Sequence, residues 1–191
     1  MPRVFIVAVL FALITALFGS RPVAAQYAPG NITAFADPTG TSCSITDQTP
    51  GPFNVYVFHT NFGGMYGVNF RVSESGGFHA TYLSETLEAP GHYGDFRNGI
   101  DLVYGACRNG PVLLGTISYE GHGTSESCSY LDIVGWHYPW PETGDCIFMD
   151  YPAPPLGKLY VNPQPGLCQP WCGVVATAPA TWGKVKALYR D

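Results

Sequence analysis

The sequence predicts an all-β protein, an antiparallel β-sandwich of about nine strands. Three observations carry that expectation. Apolar residues recur with a period of two rather than 3.6. Turn-forming clusters separate the apolar runs at short intervals. With 23 Gly and 17 Pro in 191 residues, the chain offers no helix-length periodic stretch outside its last residues.

Taken in order, the first strand candidate is 32–36, closed by the turn Asp37-Pro38-Thr39-Gly40. After a second turn cluster, 50–52, comes 53–58. There Phe53, Val55 and Val57 interleave with Asn54, Tyr56 and Phe58, so both faces are apolar and the strand belongs inside its sheet. Gly63-Gly64 precedes a half-buried strand in which Val68, Phe70 and Val72 alternate with Asn69, Arg71 and Ser73. Turn residues 75–77 lead to the candidate 78–84. Ile100, Leu102 and Tyr104 then alternate with Asp101, Val103 and Gly105. After the cluster 108–111 come 112–119, 129–136, 146–151 and, beyond the stiff joint 152–155, 158–161. The cluster 162–166 ends the series.

Residues 1–25 read as a secretory signal peptide. Arg3 precedes an apolar run, 4–18, broken only by Thr15, and Val23-Ala24-Ala25 supply the small-residue cleavage end. The run is shorter than the ~20 residues that span a bilayer, which favours a cleaved signal over an uncleaved anchor. The tail lacks the long apolar stretch of a C-terminal anchor, so no transmembrane anchor is expected after signal removal. The chain is therefore expected in an extracellular or cell-envelope compartment, with a β-sandwich domain over 26–173 and a spacer and tail over 174–191. The nine basic residues lose Arg3 and Arg21 with the signal peptide, whereas all fourteen acidic residues remain. That field repels phosphate backbones and argues against nucleic acid as a partner.

The six cysteines, Cys43, Cys107, Cys128, Cys146, Cys168 and Cys172, are an even set in an oxidising compartment and predict disulfides. Cys128 and Cys146 flank what reads as a hairpin, and Cys168 and Cys172 stand four apart. Those pairings leave Cys43 for Cys107. Zinc is not expected, because no second close Cys or His pair completes a tetrahedral site.

The tail differs from the rest. After the small-residue spacer 174–180, Thr181 is placed to cap a short helix, with Trp182, Val185, Leu188 and Tyr189 on one face and cations opposite. Nine or so residues are too few for a stable free helix in water. The tail docks on the sandwich, binds a partner or stays disordered.

Residues 32–47 (Ile-Thr-Ala-Phe-Ala-Asp to Ser-Cys-Ser-Ile-Thr-Asp), Val55-Tyr-Val-Phe-His-Thr60, Tyr104-Gly105-Ala106-Cys107 and the closing Thr-Trp-Gly-x-Val-Lys-x-Leu-Tyr resemble a group of secreted proteins of environmental bacteria. The resemblance runs from about residue 31 to the end. It implies an extracellular bacterial origin and a β fold, and brings no activity.

No catalytic or cofactor motif stands out. His59, His79, His92, His122 and His137 show neither H-x-H nor H-E-x-x-H spacing, Met65 and Met149 lie far from any Cys-His run, and no D-x-D-x-D-G loop is present, so no metal or cofactor is expected. A G-x-S-x-G elbow is missing. Glu120, Asp132, Glu142, Asp145 and Asp150 crowd one third of the chain, but glycoside cleavage needs two of them facing across a groove. Asn31-Ile32-Thr33 matches a glycosylation acceptor, relevant only in a host with that pathway. The most suggestive segment is 136–145. Trp136, Tyr138 and Trp140 stand on a loop stiffened by Pro139 and Pro141, with Glu142 and Asp145 beside them. Rigid aromatics beside polar acceptors suit sugar stacking or a protein partner, or else cap the core. The expectation is a secreted non-catalytic protein of structural or adhesive role, meeting a glycan or cell-envelope component. The alternative is a carbohydrate-binding module using Tyr138 and Trp140, and the third reading is a glycan-acting hydrolase.

Overall fold

The computed structural model describes residues 28–171. The expected signal peptide, Cys172, and the tail with Trp182, Val185, Leu188 and Tyr189 lie outside them. The described residues form strands and no helix: β1 (Asn31–Phe35), β2 (Ser44–Ile45), β3 (Pro50–Thr60), β4 (Gly63–Glu74), β5 (Ala80–Leu87), β6 (Gly91–Asp95), β7 (Gly99–Asn109), β8 (Val112–His122), β9 (Ser129–Val134), β10 (Glu142–Asp145), β11 (Asp150–Pro152) and β12 (Leu159–Val161). No helix among them is long and apolar enough to cross a membrane.

Two sheets face each other. The smaller runs β1-β3-β8-β5. As its two apolar faces suggest, β3 is central, paired with β1 on one side and β8 on the other. The larger is organised around β4, which pairs with β7 over Gly63–Phe70 and with β10 and β9 along the opposite edge. From β7 this sheet extends to β6; from β10 and β9 it extends to β11 and to β12-β2. All these pairings are antiparallel except β12 with β2.

One core fills the space between the sheets. Ile32, Val55, Val57, Leu114, Ile117 and Tyr119 come from the smaller sheet; Met65, Phe70, Ile100, Leu102, Leu131 and Ile133 come from the larger. Burial at alternate residues of β4, β7 and β9 is the period-two pattern made physical. Phe35 and Phe58 form a separate edge-to-face pair, centroids 5.6 Å apart.

Several expectations need correction. Twelve strands replace about nine. β6 carries two glycines and buries neither face, so it has no apolar pattern to read; pairing with β7 makes it a strand. Residues 50–52 open β3 rather than forming a turn. Residues 146–149 are the turn between β10 and β11, not a strand.

The cysteine pairing also differs: Cys107 bonds Cys146, and Cys128 bonds Cys168. Cys43 is disulfide-bonded as well. The reason is the course of β9 and β10. They are not a hairpin but two lengths of one edge, Leu131 opposite Glu74 and Asp145 opposite Met65. Cys128 and Cys146 therefore stand at opposite ends of β4. Cys107 reaches Cys146 because β7 bulges: its register advances from Val103 to Arg108 while β4 moves only from Gly67 to Met65. The Tyr-Gly-Ala-Cys segment is that bulge.

Candidate functional site

The side chains of β4, β7 and β10 that do not enter the core make a concave outer face on the larger sheet. Tyr66 and Asn69 of β4, Asp101 and Val103 of β7, and Glu142 and Gly144 of β10 floor a groove of about 480 Å³. His137, Phe148 and Asp150 rim it.

The His137 side arises from an insertion. Val134 pairs with Arg71 and Glu142 with Asn69, so the edge leaves β4 opposite Phe70 and returns one residue later, with 135–141 looped out between. The loop folds tightly at Gly135, where a Cβ would sit 1.9 Å from the Tyr138 carbonyl oxygen. Trp136 lies flat over Gly99, where any side chain would collide with the indole at 2.3 Å. It continues as a stack with His137 (4.0 Å) and Tyr93 (6.2 Å). Trp136 is half-buried against the outer face, not in the core. Tyr138 and Trp140 are 60% and 59% exposed. Where core-capping and exposure both stood open, these two rings are exposed.

The opposite rim is the β10–β11 turn. Ile147, Phe148 and Met149 are 63%, 76% and 56% exposed in succession. Phe148 has φ +65°, a left-handed conformation costly for a bulky residue, and meets Tyr66 edge to face at 5.6 Å. Asp145 holds this turn. It is fully buried, and its carboxylate accepts from the Ile147 and Met149 N–H groups at 2.9 Å each and from the Tyr151 hydroxyl at 3.2 Å. Burial alone would raise its pKa, but these donors lower it on balance. Asp145 is therefore a buried brace, which corrects its expected place beside Glu142 as an exposed acceptor.

Electrostatically the groove is one-sided. Asp101, Glu142 and Asp150 line it, with the buried Asp145 behind them, and neither lysine nor arginine does. Burial raises the Glu142 pKa, Asp150 adds to the rise, His137 opposes it and Asp101 contributes the smallest share. Asn69 donates to Asp101, while its own carbonyl oxygen is buried without a partner.

The other candidates are placed elsewhere. His59 is buried in the core. Its Nε2 donates to the Pro29 carbonyl and its Nδ1 accepts from the Tyr104 hydroxyl, both at 2.6 Å, because the carbonyl can only accept. The imidazole lies flat on Phe62 at 3.9 Å. His79 contacts the Thr124 carbonyl and His122 the Thr81 hydroxyl. His92 is exposed on β6. Asp132 pairs with Lys158 at 3.4 Å, and Glu120 lies on β8, in the other sheet. Among the described residues no group of three His, Cys, Asp or Glu is placed to hold a metal ion. Sequence reasoning missed Asp101, Tyr66 and Phe148; the three consecutive apolar residues 147–149 were a signal, but they were read as strand.

Comparison with solved structures now bears on the fold. A cohesin module from a Clostridium perfringens family 33 glycoside hydrolase superposes with a TM-score of 0.51 at 8% identity, over 71% of this chain and 98% of that one. A type II cohesin domain from the cellulosome of Acetivibrio cellulolyticus gives 0.50 at 9% identity, over 71% and 96%. The fold is similar to that of cohesin modules. No protein-family model and no curated protein matches the sequence.

Proposed function

We propose that this chain is a secreted, non-catalytic interaction module that holds a partner against the outer face of its larger sheet. One observation carries the reading: an acidic groove lies between two exposed apolar elements, the aromatic loop 135–141 with its Pro139 and Pro141 and the turn 147–149 braced by Asp145. Preorganised aromatic anchors around a polar centre lose little conformational entropy on binding. The cohesin-like fold supports a modular role. The secretory character of residues 1–25 and the resemblance to secreted bacterial proteins support the compartment.

The test is retention of the purified protein on cell-envelope fractions. Retention by the wild type and at least tenfold weaker retention by Trp140→Ala and by Glu142→Lys/Asp150→Lys are expected. Equal retention of all three, or of none, overturns the reading. A second reading, sugar stacking on Tyr138 and Trp140, is favoured by their exposure. A glycan array with Trp140→Ala decides it, and a wild-type protein with no ligand removes it.

A further inference from the structure

We infer that the groove between the loop 135–141 and the turn 147–149 is a docking site for the chain's own segment 181–191, bound within one molecule. The inference rests on the interaction reading above and names what covers its site until a partner displaces it.

Charge complementarity comes first. The described residues hold four cations, Arg71, Arg97, Arg108 and Lys158, against thirteen acids, every acid of the chain except Asp191. The segment 181–191 concentrates three more cations, Lys184, Lys186 and Arg190, beside Trp182, Leu188 and Tyr189. An acidic groove with Tyr66 on its floor and Phe148 on its rim suits that composition, since ammonium and guanidinium groups are held by carboxylates and by ring faces together.

Chain length comes second. Cys168 is bonded to Cys128, next to the start of β9. Leu131 of β9 lies opposite Glu74, and the groove begins opposite Asn69 on the same strand. Those five residues of β4 cover about 17 Å, and the far end at Tyr66 adds roughly 10 Å more. Counting the three residues from Cys128 to Leu131 as well, the groove begins about 27 Å from the Cys168 tie and ends about 37 Å from it. The fourteen residues from Cys168 to Trp182 reach at most about 48 Å when extended, so Trp182 reaches the whole groove. A short linker that spans its sites gives an effective concentration in the mM range, so weak contacts suffice.

Nitrogen-15 NMR on the full chain tests this, comparing wild type with Lys184→Glu/Lys186→Glu, with Glu142→Lys/Asp150→Lys and with the four changes combined. Ordered tail amides and shifted Tyr66–Asn69 and β10 resonances are expected in the wild type. Either pair of changes abolishes both effects, and the combined variant regains them in part. Tail amides equally mobile in all four proteins overturn the inference. Shifts that change on tenfold dilution overturn it too, since a second copy is then the occupant. Unaltered core methyl resonances in each variant confirm folding. Failure here, with envelope retention still lost in Glu142→Lys/Asp150→Lys, leaves the interaction module standing without its tail; loss of retention effects with tail docking intact does the reverse.

Discussion

The two faces of β4 and β7 handle polar groups in opposite ways. On the inner face, Tyr104 of β7 is closed off with His59, which meets it from β3 of the facing sheet: every ring nitrogen and the hydroxyl have a partner, and Phe62 stacks on the imidazole. On the outer face, Asp101, Glu142 and Asp150 share a groove with no lysine or arginine. A satisfied polar cluster adds to folding, whereas a polar surface left short of donors is poised to accept them from something else. The contrast separates the structural half of the sheet from its binding half.

The largest expected effect tests whether the two halves are mechanically joined. The Cys107–Cys146 bridge ties the bulge after Tyr104 to the turn beside the groove and closes a separation of 39 residues. Replacing both cysteines by serine is expected to cost about 4 kcal/mol in the chain-entropy model, read by denaturant unfolding. A loss below about 1 kcal/mol says that the bulge is held by packing alone.

The inner face gives the next effect, and its sign is set by burial. Burial lowers the His59 pKa from 6.5 to about 4, the Pro29 hydrogen bond opposing. Above pH 6.5 neither folded nor unfolded chain protonates this ring, and its contribution is fully present. As pH falls from 6.5 to about 4 the unfolded chain gains a proton that the folded chain refuses, and about 3 kcal/mol is lost across the window. Unfolding free energies measured at half-unit pH steps should show that slope in wild type and lack it in His59→Gln. A slope shared by both proteins places its origin elsewhere.

Smaller effects belong to the outer face, where function and stability should part. Phe148→Gly relieves a left-handed backbone and is expected to stabilise by about 1 kcal/mol while weakening partner retention. A destabilised Phe148→Gly would mean that its contact with Tyr66 outweighs the backbone cost. Trp140→Ala should leave thermal stability within about 0.5 kcal/mol, as exposed positions do, yet reduce envelope retention tenfold or more. A matching loss of stability would assign the ring to the fold instead.

How far the site was legible follows from the same division. Trp136, Tyr138, Trp140 and Glu142 were readable because prolines and aromatics fall together in ten residues. Their exposure was not readable, because loop and core aromatics share one composition. Asp145 looked like Glu142, but three positions on in a strand a side chain faces the opposite side, and it is fully buried. Asp101 carried no local signal, since its partners arrive from 32 and 41 positions away, Asn69 by hydrogen bond and Glu142 across β4.

By itself the sequence determined the period-two strands, the central place of β3, the excess of acids and the cationic tail, all properties of residues and their near neighbours. Tertiary structure alone decided that β9 and β10 form one interrupted edge, that Cys107 meets Cys146, and that three carboxylates share a groove. Side-chain alternation is a local consequence of backbone geometry. Which strands become neighbours depends on burying two sheets against each other, and that balance is struck over the whole chain.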